Sequence, residues 1–62
     1  MPKAYEEIAA LNEQLKEHEE KFLSGNASAG TRARKTLQDI KKVCQIGREA
    51  IQQKKNADEQ GA

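Results

Sequence analysis

Arg34, Lys41, Arg48 and Lys55 recur every seven residues, with Gln38, Gln45 and Gln52 at the positions between them. Guanidinium and ammonium groups neutralise phosphates, while glutamine amides hydrogen-bond phosphate, sugar or base edges. A seven-residue step on a helix returns to nearly the same face, so the series forms a basic ladder. Arg32, Lys35 and Lys42 broaden it, and Ser28 and Thr31 bring hydroxyls to its start. The chemistry on offer is electrostatic binding of a polyanion. The same pattern also suits a plain solvated heptad flank, where lysine and glutamine are ordinary choices.

Other chemistries find little footing. Cys44 is the only cysteine and His18 the only histidine, so neither an intrachain disulfide nor a four-ligand metal site is expected. Cys44 reads as a small core hydrophobe and His18 as a structural member of an apolar seam, with no nucleophile and base paired in sequence. The stretch "GNASAGTR", Gly25 to Arg32, has the glycine spacing of a phosphate loop. However, Thr31-Arg32 stands where lysine and a hydroxyl residue are required, and no strand precedes it. Enzymatic activity, a cofactor and a small-molecule substrate are therefore not expected. Tyr5 and Phe22 are the only aromatics, too few for a base-stacking platform. No apolar run reaches membrane-spanning length and no hydrophobic leader opens the chain, so a cytoplasmic protein without a membrane partner is expected.

The elements that would position the ladder follow from the apolar spacing. Ala4, Ile8, Leu11, Leu15, His18 and Phe22 step by alternating fours and threes, as do Ala33, Leu37, Ile40, Cys44, Gly47 and Ile51. Two helices packed in coiled-coil fashion are predicted, over about residues 3–24 and 27–55. Pro2 suits the first turn, Glu6 and Glu7 face the positive end of the dipole, Gly25 stops the first helix and Asn26 caps the second. The join is too short for parallel neighbours, so an all-α antiparallel hairpin over residues 1–56 is expected, with 57–62 a frayed acidic tail. At 1.5 Å per residue the helices are about 30 and 40 Å long, so the second overhangs. Val43, Ile46 and Ala50 widen its apolar face beyond one seam. A dimeric four-helix bundle would cover that face, and close approach of another backbone would account for Gly47.

Charge is divided between the two elements. Residues 1–24 carry three basic and six acidic side chains, a net of −3, whereas residues 25–56 carry eight and two, a net of +6. Arg32 and Arg34 near a helix start oppose its dipole, a broken local rule that an anion at the helix N-terminus would repair. Gly30 and its neighbouring alanines would let a bulky polyanion approach, or would simply let the helices pack closely.

"GNASAGTRARKTLQDIKKVCQIGREAI" resembles the bacterial histone H1-like family of small nucleoid proteins. Its strongest similarity lies in Gly25-Asn26, in Ala29 to Lys35, and in "LQDIKKV". The resemblance implies a helical protein that binds DNA and helps organise it in the nucleoid. It carries the family's basic motif onto Arg32, Arg34 and Lys35. Some longer members carry a lysine- and alanine-rich tail. This sequence ends instead in acidic "ADEQGA", so DNA binding is expected from the hairpin itself.

The resulting expectation is a homodimeric hairpin that binds double-stranded DNA through phosphates with little sequence preference. Its contacts would be Ser28, Thr31, Arg32, Arg34, Lys35, Lys41, Lys42, Arg48 and Lys55. Its core and dimer face would be Ile8, Leu11, Leu15, Phe22, Leu37, Ile40, Val43, Cys44, Gly47 and Ile51. The alternative is a helical interaction or oligomerisation module without nucleic-acid binding, and structured RNA is a third ligand class.

Overall fold

The joint between the helices is built from the residues that can turn a chain there. In a computed structural model, which describes the backbone of residues 3–61 and the side chains of residues 3–58, Gly25 has φ +112°. That conformation favours glycine, because a Cβ would crowd the backbone. It lets the Asn26 N–H donate to the Lys21 carbonyl and the Gly25 N–H to the Phe22 carbonyl, each at 3.0 Å. These two bonds make a Schellman motif, which satisfies carbonyls that the ending helix leaves free. Asn26 then acts a second time. Its Oδ1 accepts from the Ala29 N–H at 3.3 Å and from the Ser28 hydroxyl at 2.8 Å, capping the next helix.

Helix α1 spans Ala4–Leu23 and α2 spans Ala27–Gly61. Both expected helices and their hairpin arrangement are present, and no strand occurs among the described residues. Glu6 and Glu7 lie in the first turn of α1 and Lys21 in its last, in accord with the dipole. Pro2, read as a helix opener, lies outside the described residues. The end of α2 differs from expectation. It runs past Lys55 to Gly61, so the residues read as a frayed tail are helical, apart from Ala62, which is not described. Local pairs support the extension. Lys54 Nζ lies 3.1 Å from Asp58 Oδ1, and Gln52 Nε2 donates to Asn56 Oδ1 at 3.0 Å.

Two close approaches set the antiparallel register. Near the turn, a Cβ on Gly30 would sit 2.7 Å from Phe22 Cδ1; at the far end, one on Gly47 would sit 3.0 Å from the Ala4 Cβ. Between these two contacts lie the half-buried Ile8, Leu11, Leu15 and His18 of α1 and the buried or half-buried Ala33, Thr36, Ile40 and Val43 of α2. Near the turn, the large Phe22 of α1 thus meets Gly30 of α2, which lets the axes approach closely. Gly47 is accounted for by Ala4 of its own chain, not by a second hairpin.

The seam on α2 is shifted from the one read in the sequence. Ala29, Ala33 and Thr36 are buried and Ile40, Val43 and Gly47 half-buried, whereas Leu37 is 48 % exposed, Cys44 is exposed and Ile51 is 70 % exposed. Helical geometry explains the shift. With 100° per residue, Thr36 falls about 20° from the mean direction of Ala29, Ala33, Thr36, Ile40, Val43 and Gly47, and Leu37 about 80° from it on the other side. Position on the helix, not hydrophobicity, decides which residue enters. Burying Thr36 is tolerated because its hydroxyl donates to the Arg32 carbonyl at 3.0 Å.

On α1 the seam falls where the spacing placed it. Ala4, Ile8, Leu11, Leu15 and His18 are half-buried, while Phe22 remains 50 % exposed with its ring lying over Gly30. None of the α1 residues is fully buried.

Candidate nucleic-acid interface

Helix α2 carries every basic residue singled out in the sequence, and all of them are exposed. Arg34, Lys41, Arg48 and Lys55 lie on one flank of the packing seam. Each seven-residue step falls about 20° short of two full turns, so the ladder drifts only slowly around the helix. Arg32, Lys35 and Lys42 do not join it. Arg32 and Arg34 point about 200° apart on the helical wheel, which puts the two arginines on opposite sides of the seam. The expected single track is therefore two arcs, one of four residues and one of three. Thr31 is exposed near the helix start on the face away from α1.

Within the hairpin the cations keep their charge available. Among the described residues Lys54–Asp58 is the only ion pair, so Arg32, Arg34, Lys35, Lys41, Lys42 and Arg48 have no carboxylate partner there. The pairing of Lys42 with Glu49 that the sequence allows does not form; Glu49 instead accepts from Gln45 Nε2 at 3.1 Å. The glutamines between the rungs are partly engaged in this way, Gln45 with Glu49 and Gln52 with Asn56.

The start of α2 is less open to an anion than its sequence indicates. Asn26 Oδ1 occupies the Ala29 N–H, and Ser28 donates its hydroxyl to the same oxygen. Gly30, whose lack of a side chain could admit a polyanion, is covered by the Phe22 ring. The small residues here serve helix packing. What remains for an anion is the exposed pair of guanidinium groups further along.

Six of the ten acidic side chains sit on the other element. Glu6, Glu13, Glu17, Glu19 and Glu20 are exposed on α1, with Glu7 half-buried. The hairpin is polarised, with an acidic back and a basic front. His18 lies in the seam with its Nδ1 buried and without a hydrogen-bond partner, a packing position rather than a reactive one. No group of metal-binding side chains occurs among the described residues, and no described helix is long and apolar enough to cross a membrane.

One feature escapes the sequence reading. Leu37, Cys44 and Ile51 form an apolar stripe with a seven-residue step on the flank of the seam, and Leu37 shares a groove with Leu23, which is 82 % exposed. The signal for it is the apolar face of α2, too wide for one partner; the heptad spacing places the stripe in the inner seam instead.

This polarised hairpin, with its exposed basic ladder, coincides with a family match. The model of the histone H1-like protein Hc1 family matches residues 2–57. The chain belongs to this histone H1-like family. The match takes in α1 as well as the basic stretch of α2. Membership in a histone H1-like family points to a DNA-binding nucleoid protein of structural character rather than an enzyme. Comparison with curated proteins and with solved structures gives no match.

Proposed function

We propose that the chain binds duplex DNA through its phosphates, with little sequence preference, as a homodimer that helps organise the bacterial nucleoid. The observation that carries this reading is the ladder Arg34, Lys41, Arg48 and Lys55, exposed along one flank of a helix in a histone H1-like chain. Lysine and arginine act on phosphate through charge, and no base-reading constellation accompanies them. The arc of Arg32, Lys35 and Lys42 contributes from the other flank as the duplex curves past. The acidic α1 faces away from the DNA, which orients the hairpin on the polyanion.

With four to six phosphates neutralised per dimer, log affinity falls against log salt with a slope of about −4 to −5. The test replaces Arg34, Lys41 and Arg48 by Gln and measures duplex affinity across a salt series. Most of the slope and at least tenfold of the low-salt affinity should be lost. Changing Arg32, Lys35 and Lys42 to Gln should have the smaller effect. Unchanged affinity and slope in both variants would overturn the proposal.

The exposed stripe Leu37, Cys44 and Ile51 favours a second reading, that of an association module without nucleic-acid binding. Under that reading duplex DNA binds no better than to any near-neutral protein, and the salt series separates the two. A competition with structured RNA at equal salt decides the nucleic-acid class.

A further inference from the structure

We infer that α2 pairs with α2 of a second copy in antiparallel orientation, with Cys44 on the two-fold axis. This inference rests on the dimer proposed above and specifies its geometry.

Leu37, Cys44 and Ile51 are evenly spaced and all exposed, so the stripe is symmetric about its central residue. Cys44 is also the midpoint of α2, which runs Ala27–Gly61. An antiparallel pair centred there overlaps along the whole helix. It seats Leu37 against the partner's Ile51 and the reverse, a self-complementary contact of the kind that a closed dimer requires. A shift of one heptad would leave an apolar residue uncovered at each end.

The overhang supplies a second, independent argument. Packing of α1 ends at Ala4 opposite Gly47, so among the described residues α2 beyond Gly47 has no facing helix in its own chain. Helical segments of this length are marginal in water without tertiary contacts. In the antiparallel pair this arm lies along the first half of the partner's α2. There it meets the apolar groove formed by Phe22, Leu23, Gly30, Ala33 and Leu37, with Arg34 at the rim.

Charge selects the same orientation. The first three turns of α2 carry Arg32, Arg34 and Lys35 toward the positive end of their own dipole, and none of the three has a carboxylate partner among the described residues. The last turns carry Asp58 and Glu59 together with Lys54 and Lys55, a net charge of zero. Antiparallel pairing lays each basic start along a partner arm of no net charge and opposes the two helix dipoles, whereas parallel pairing would stack both basic starts together. A foreign helix would have to reproduce this spacing and polarity, which a second copy supplies by symmetry.

The two-fold has a consequence for DNA. Rotation about an axis perpendicular to both helices keeps each flank on its own side. Both basic ladders therefore line one face of the dimer, and both α1 helices lie toward the other. Each copy supplies half of the phosphate-binding face, which is incomplete in a single hairpin.

Thiol cross-linking in the absence of DNA tests the geometry. The wild-type chain, treated with a short bis-maleimide, should form a covalent dimer through Cys44. In a Cys44→Ser background, Leu37→Cys and Ile51→Cys chains mixed and allowed to exchange should cross-link to each other. Either chain alone should do so at least tenfold less. Both substitutions are at exposed positions, and circular dichroism checks that helicity is kept. Self-linking of each single variant would indicate a parallel pair and overturn the inference. So would the absence of cross-links together with a monomeric mass in sedimentation, or a dimer in sedimentation that none of the thiols links. Because no DNA is present, failure here leaves the salt-dependent duplex binding to be judged separately, and loss of duplex binding leaves the cross-links intact.

Discussion

Gly25 and His18 show how single residues carry distinct costs in a molecule with so little interior. Gly25 holds φ +112°, and a Cβ there would meet nothing within 4 Å, so the strain of a substitution is purely conformational. Gly25→Ala should lower stability by about 1 kcal/mol, seen as a lower midpoint in thermal or urea unfolding. His18 has a buried Nδ1 with no partner, and an unsatisfied buried polar atom costs about 1–3 kcal/mol. His18→Leu keeps the volume, removes that atom and should raise stability by about 1 kcal/mol. An unchanged or lower thermal midpoint would show that the imidazole finds water in solution.

At the scale of elements, which face of α2 meets α1 governs both packing and the placement of charge. Ile40 is half-buried in the seam, whereas Leu37 lies 48 % exposed outside it, although the two are similar in hydrophobicity. In dilute solution Ile40→Ala should cost about 2 kcal/mol and Leu37→Ala less than about 0.5 kcal/mol, read from unfolding midpoints. If the two cost the same, the seam runs through Leu37 after all. The same rotation separates Arg32 from Arg34, so a helical wheel and not proximity in sequence decides which cations can meet one stretch of duplex. The Asn26 cap belongs to this scale too. Asn26→Ala frees the Ala29 N–H and should destabilise the hairpin by about 1 kcal/mol, again read from the unfolding midpoint.

For the whole molecule, size and shape dominate. The hairpin extends 56 Å by 15 Å by 14 Å, and among the described residues only Ala29, Ala33 and Thr36 are buried. So thin a core gives little stability alone, and association with a second copy contributes the rest by mass action. The thermal midpoint should therefore rise with protein concentration. Leu37→Asp combined with Ile51→Asp should abolish that dependence and halve the mass in sedimentation. The same variant should also bind duplex DNA more weakly and with a shallower salt slope, although no basic residue has changed, because a monomer presents one ladder instead of two. A variant that remained dimeric, or a monomer with undiminished duplex affinity, would separate association from binding.

Two helices, their stop at Gly25, the Asn26 cap and the division of charge were determined by the sequence alone. These depend on local spacing, on backbone conformational preference and on composition, all of which a linear chain displays. The tertiary structure decided the rest. Thr36 and not Leu37 enters the seam, because the direction of approach of α1 selects positions by angle. That rotation left Leu37 and Cys44 on the flank, split the cations into two arcs and gave Gly30 and Gly47 to packing within the hairpin, while Ile51 is exposed because α1 ends opposite Gly47. A heptad pattern states that two neighbouring positions are both near the seam; only the facing helix settles which one is covered.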